Sequence, residues 1–209
     1  DKLPSERQLE EIFGASRGTI RQSFRILEQK GVLEIRTGVQ GGAFVREITS
    51  DEISKSIALL IRFNHVTPDH IAKFREGIEG SLIPQLAAQN ASSEDIRHLK
   101  DMHERLLELS RQEKFNWEEF DSQEAQMHIF LGKMTQNPLY EALSATIIDS
   151  IGHFAVFIDR TQAVMVEVAS DWQRIIECFE KNDTVGAEEN IRFHINKWIE
   201  MYKRGSKNA

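Results

Sequence analysis

The residues best suited to chemistry fall into two groups. Ser16, Arg17, Thr19 and Arg21 crowd into the first turn and a half of one short helical stretch. That is where a recognition helix meets base edges and phosphates, and a helix N-terminus itself draws a phosphate. Arginine suits the task because its fork pairs bidentately with guanine in the major groove. The second group lies later in the chain. Glu124 and His128 stand four residues apart on one helix face, and Phe120, Met127, Leu131 and Met134 set that face near a core, so both polar groups are expected to point inward. His194 interrupts an apolar stripe made by Ala187, Ile191, Ile195 and Trp198. No nucleophile–base motif, GxGxxG or P-loop accompanies these residues, so binding rather than catalysis is expected.

The elements that must carry the first group can be read in order. Ser5 followed by Gln8 is a capping-box spacing, which starts a helix at Glu6 that is expected to bury Leu9, Ile12 and Phe13 before Gly14 stops it. Ser16 caps a second helix with Ile20, Phe24, Ile26 and Leu27 inward, ended by Gly31. Two helices joined by a tight glycine turn make a helix-turn-helix. "VLEIR", "TGVQGG" and "AFV" then read as a β-hairpin wing, whose glycines at 38, 41 and 42 let its tip approach a sugar-phosphate backbone.

The whole stretch "LPSERQLEEIFGASRGTIRQSFRILEQKGVLEIRTGVQGGAFV" resembles the winged helix-turn-helix of the GntR family of bacterial transcription regulators, with several linked motifs at the right spacing. The resemblance implies that Arg7, Arg17 and Arg21 contact guanines or phosphates. It places Ser5, Ser16 and Thr19 at the DNA backbone, and the wing around Gln40, Gly41 and Gly42 in the minor groove.

From residue 51 onward apolar positions recur at helical spacing in seven stretches, near 51–63, 68–89, 93–112, 116–134, 138–158, 162–181 and 184–203. The breaks fall at Pro68, "NASS", "RQEKFN", "TQNP" and "KNDT", all turn or cap chemistry. This part resembles the FCD effector domain of the FadR subfamily through "VTPDHIAKFREGIEG", "EAQMHIFLGKMTQNPLY" and "IIECFEKNDTVGAEENIRFHINKW". The implied fold is mainly α: a winged helix-turn-helix followed by an all-α antiparallel bundle of six to seven helices, the helix before "VTPDHI" favouring seven.

Many FCD domains hold a divalent metal with one carboxylate and three histidines. By that resemblance Glu124, His128 and His194 are ligands, while Trp172 stands where the remaining histidine belongs, and an indole donates a hydrogen bond but ligates no metal. The surviving trio suits a weakly held Zn²⁺ or similar ion with open positions. An ion-free polar network lining a pocket is the alternative. Asp121, one turn before Glu124, is a substitute carboxylate or a solvated position. Arg75 matches an arginine that often lines the FCD pocket, and an inward arginine needs a negative partner, either an effector carboxylate or Glu79. His153 is a further candidate for the cavity, or a satisfied core histidine. The effector-binding set is thus Arg75, His128, His153 and His194.

Composition limits the remaining choices. The chain of 209 residues carries a formal charge of −7 and one cysteine, Cys178, on the apolar side of a helix, which suits a reducing compartment. Residues 1–48 hold eight basic and seven acidic side chains, a balance of +1, while the rest of the chain balances at −8. A near-neutral head with clustered arginines joined to an acidic body fits a nucleic-acid reader attached to a second module. We therefore expect a DNA-binding domain over 1–48, its start incomplete before Asp1, and an effector-binding and dimerisation domain over 49–209. With no run of about 18 apolar residues and no signal-peptide core, a cytoplasmic protein is expected. The expected function is a ligand-responsive, sequence-specific transcription regulator, a repressor released by a small carboxylate, acting as a homodimer on a palindromic operator. The competing readings are a metal-assisted enzyme with a DNA-binding appendage and a structural DNA-binding protein; the inward polar groups Arg75, Glu124, His128 and His194 count against the latter.

Overall fold

The structure, a computed structural model, describes residues 1–38, 41–46, 51–89, 91–114, 116–151, 158 and 160–205. The chain forms two compact units, Asp1–Glu52 and Ile53–Ala209. In the first, α1 (Glu6–Phe13) begins with a complete capping box: the Ser5 hydroxyl accepts from the Gln8 N–H, and the Ser5 N–H donates to Gln8 Oε1 at 2.9 Å. Gly14 closes α1 at φ 61°, a left-handed conformation that costs a side-chain-bearing residue more than glycine. Ser16 caps α2 (Arg17–Gln29), its hydroxyl accepting from the Thr19 N–H. Strands β1 (Leu33–Arg36) and β2 (Gly42–Val45) pair antiparallel with Leu33 opposite Val45 and Arg36 opposite Gly42.

Leu9, Ile20, Leu33 and Ala43 are the buried apolar residues of this unit. Two expected core faces fail here. Ile12 and Phe13 are 63% and 71% exposed, and Ile26 is 45% exposed, because two short helices and one hairpin cover only a narrow stripe of each helix. The last turn of α1 and the outer side of α2 lie beyond that cover.

The second unit is helical: α3 (Asp51–Phe63), α4 (Pro68–Ala88), α5 (Ser93–Arg111), α6 (Trp117–Met134), α7 (Pro138–Ile151), α8 (Gln162–Lys181) and α9 (Thr184–Gly205). The expected helix over 138–158 is described only to Ile151, and residues 152–157 lie outside the described set. Helix starts follow from side-chain caps: Thr67 for α4, Ser92 for α5, Asn116 for α6 and Thr161 for α8. The core gathers Leu106, Phe120, Met127, Trp172, Phe179 and Ile195 from four helices, all essentially without exposure. Helix α4 packs along α9, α6 along α7, and α5 and α9 along α8. These pairings bring the inward faces of α4, α6, α8 and α9 to one place. Among the described residues no helix is long and apolar enough to cross a membrane.

Candidate functional site

In the first unit Glu6 organises the arginines of α2. Its carboxylate accepts from Arg17 Nε at 3.1 Å and lies 3.8 Å from Arg21 Nε, so both guanidinium groups stand on one side of the helix-turn-helix. Arg17 and Arg21 remain mostly exposed, and Arg7 extends beside Glu11 at 3.5 Å. Ser16 and Thr19 share a hydroxyl–hydroxyl hydrogen bond of 2.9 Å at the N-terminus of α2. On the hairpin, Lys2 and Arg36 lie over the Phe44 ring, at 5.5 and 4.5 Å from its centre. Gly41 sits so close to the chain that an added Cβ would lie 2.4 Å from the Arg36 carbonyl oxygen. Gly42 pairs with Arg36 in the hairpin, while Gln40 lies outside the described residues.

The second site lies among α4, α6, α8 and α9. Arg75 and Glu79 occupy successive turns of α4, and Arg75 Nε donates to Glu79 Oε1 at 2.7 Å, both side chains buried. Glu79 Oε2 lies 2.9 Å from Nδ1 of His128 on α6. The other ring nitrogen, Nε2, lies 3.2 Å from His194 Nε2 on α9 and 4.0 Å from Glu124 Oε1, while His194 Nε2 and Glu124 Oε1 are 3.2 Å apart. Arg75 Nη2 reaches the same His128 ring at 3.1 Å from Nε2. Behind His194, the carboxylate of Asp171 lies 3.5 Å from Nδ1 and is gripped by Lys197 Nζ at 2.8 Å. Arg174 pairs with the other Asp171 oxygen.

Charge follows this geometry. Burial pushes the Glu124 carboxyl up, but the hydrogen bond and charge of His194 outweigh it and hold the group below its ordinary range. Burial likewise pushes His194 down, and the carboxylates of Asp171 and Glu124 more than reverse it, so this imidazole favours its protonated form. His128 goes the other way: burial, aided by Arg75, lowers it despite Glu79. The two neighbouring imidazoles are thus pushed in opposite directions.

Trp172 is fully buried and edge-on to His128, with ring centres 4.8 Å apart. Its indole Nε1 has no hydrogen-bond partner among the described residues. A cavity of about 120 Å³ opens beside Arg75, Glu124, His128 and His194, with Trp117, Asp121 and Trp198 around it. Asp121, read from sequence as a substitute ligand or a solvated position, takes neither role. It is half-buried at the cavity wall, 3.3 Å from Arg160, and burial and the nearby Glu124 push its carboxyl up to about 7. His153 lies outside the described residues. Sequence reasoning missed Asp171, which carries no spacing signature of its own.

Glu124, His128 and His194 form the one group among the described residues whose side chains converge as metal ligands would. Ligand atoms around a tetrahedral ion with bonds of 2.0–2.2 Å stand about 3.4 Å apart. The observed separations of 3.2, 3.2 and 4.0 Å fit that spacing, so these residues are able to hold a divalent ion.

The fold and sites together define a DNA-binding head joined to a ligand-binding helical bundle. Residues 1–45 match the family described as bacterial regulatory proteins, gntR family, and residues 70–197 match the FCD domain. The chain belongs to the GntR family of bacterial transcription regulators, in its FCD-containing branch. It is 24% identical over 201 residues to the HTH-type transcriptional repressor NanR of Cronobacter sakazakii, covering 94% of this chain and 75% of that protein. It is 32% identical over 137 residues to the Uxu operon regulator of Haemophilus influenzae, covering 66% of this chain and 47% of that one. Among solved structures, Streptococcus agalactiae GntR shares the fold with a TM-score of 0.70 at 21% identity, over 93% of this chain and 87% of that one. The protein is thus a DNA-binding transcription regulator and not an enzyme, and its FCD domain implies a small-molecule effector.

Proposed function

We propose that this regulator is a cytoplasmic repressor that binds a palindromic operator as a homodimer through residues 1–48 and is released when a small carboxylate enters the cavity in residues 49–209. The observation that carries this reading is the buried meeting of Arg75 with Glu124, His128 and His194 at a cavity. A structural DNA-binding protein has no use for so costly an arrangement. The cavity of about 120 Å³ has room for roughly four waters, the scale of a small organic acid. Arg75 Nη2 is the charged donor for the acid's carboxylate. The NanR relative, similar over 94% of this chain, is named a repressor, which supports repression.

Glu124, His128 and His194 would hold a divalent ion, which supplies open coordination positions to an entering acid. In the DNA-bound state Arg17 and Arg21 read the major groove, Arg7, Ser5, Ser16 and Thr19 fix the backbone, and Gln40, Gly41 and Gly42 carry the wing into the minor groove. Dimerisation is supported by Leu59, Leu60 and Phe63 of α3, which are more than half exposed on a helix that packs broadly on no other element among the described residues.

Selection of duplexes from random DNA by the full chain tests the head. The expected product is a two-fold palindrome, and Arg17→Ala should lose the preference for it over random DNA while Gly41→Ala weakens binding to both. An Arg17→Ala chain with its preference intact would remove α2 as the recognition helix.

A further inference from the structure

We propose that Glu79 and Asp171 are positioning residues that hold His128 and His194 with their Nδ1 atoms turned outward, so that both Nε2 atoms face the Glu124 carboxylate. The inference rests on the metal-binding reading of that trio and adds the residues that aim it. Each imidazole is backed by one carboxylate: Glu79 Oε2 lies 2.9 Å from His128 Nδ1, and Asp171 Oδ2 lies 3.5 Å from His194 Nδ1. Among the described residues neither His194 Nδ1 nor Asp171 Oδ2 makes a hydrogen bond, so their 3.5 Å approach is a charge contact between buried groups that a small turn of the ring would close. Each carboxylate is in turn gripped by a cation, Glu79 by Arg75 at 2.7 Å and Asp171 by Lys197 at 2.8 Å, and Arg75 also reaches the His128 ring, 3.1 Å from Nε2. Cation, carboxylate and imidazole are thus grouped twice, and the two imidazoles meet at Nε2 atoms 3.2 Å apart.

This repetition has a physical purpose. A neutral imidazole carries one proton, and the nitrogen without it is the one able to ligate. An outer carboxylate accepting from Nδ1–H leaves the Nε2 lone pair facing inward, fixes the ring plane and strengthens the nitrogen as a donor. Asp171 is 1% exposed and sits beside Trp172 on α8. This helix therefore contributes to the trio through a carboxylate behind His194, where the family's four-ligand pattern would have it contribute a ligand from position 172.

Titration of the full chain with Co²⁺, followed by its visible absorption, tests the assignment. Asp171→Asn keeps the shape and removes the charge, and should weaken the Co²⁺ dissociation constant by about 10- to 100-fold. Glu79→Gln should do the same from the His128 side. Lys197→Gln, which leaves the Asp171 carboxylate in place, should weaken binding far less. Should the uncompensated Lys197 prevent Asp171→Asn from folding, Asp171→Asn/Lys197→Gln carries the same expectation with no ammonium left unpaired. Parent-like affinity in the Asp171 and Glu79 variants, with His194→Ala abolishing binding, overturns the positioning role and leaves the trio standing. A parent that binds no Co²⁺, or a His194→Ala chain that binds like the parent, overturns the trio and the positioning role together.

Discussion

On the proposed metal-binding reading, Trp172 sets how firmly the cavity would hold an ion. Its indole fills the place where the resemblance expects an imidazole, and it packs edge-on to His128. Trp172→His should therefore slow metal loss to a chelator by completing a four-ligand set. The smaller ring leaves part of a core site empty, so the same variant should unfold about 2 kcal/mol more easily. Metal analysis after chelator dialysis, paired with a denaturant melt, reads both effects. Asp121 offers a pH test. Its folded pKa of about 7 lies above the unfolded value near 3.8, so the folded chain binds the extra proton between them and loses stability as pH rises through that window. The groups acting on it are Glu124, which pushes the carboxyl up, and Arg160, which pulls it down. The full shift corresponds to about 4 kcal/mol, and partial solvent exposure cuts this to roughly 1 kcal/mol. Asp121→Asn should then raise the melting temperature by about 2–4 °C at pH 8 and change it little at pH 4. A parent that is more stable at pH 8 than at pH 5, with Asp121→Asn following it, contradicts that assignment.

Among elements, α4 depends on its first turn. Thr67 and His70 form a capping box in which the Thr67 hydroxyl accepts from the His70 N–H and the Thr67 N–H donates to His70 Nδ1 at 3.2 Å. Thr67→Ala should cost about 1 kcal/mol in a calorimetric melt and leave Co²⁺ affinity unchanged, because Arg75 and Glu79 sit roughly two and three turns further on. Helix starts of this kind were legible in the sequence, since Ser5 and Ser16 read as caps by type and spacing and the breaks at "NASS" and "RQEKFN" contain the caps Ser92 and Asn116. Glu124, His128 and His194 were legible as inward groups because each interrupts a periodic apolar stripe. The cover over a stripe was not legible. Ile12, Phe13 and Ile26 have core spacing and remain exposed, since periodicity gives the direction of a face but not the presence of a neighbour. Asp171 was hidden for a related reason: its partners, His194 and Lys197, come from another helix and no local spacing links them.

At the scale of the whole molecule, one recognition helix covers too few base pairs for useful specificity, which is the ground for the proposed homodimer. The exposed apolar residues of α3 are the surface proposed for that copy. Sedimentation of the full chain should show a dimer at micromolar concentration, and Leu60→Glu should shift it toward monomer with a parallel loss of operator affinity. A Leu60→Glu dimer with parental affinity would move the interface off α3. The central claim, that the cavity governs DNA binding, is tested most directly by fluorescence-anisotropy titration of the selected operator with small sugar acids and hydroxy acids, with and without Zn²⁺. The expected result is at least a tenfold loss of affinity with one such acid, equivalent to about 1.4 kcal/mol of coupling. Arg75→Gln and His194→Ala should bind the operator as the parent does and fail to respond to that acid. Release of both variants by the same acid at the parent's concentration would contradict the claim.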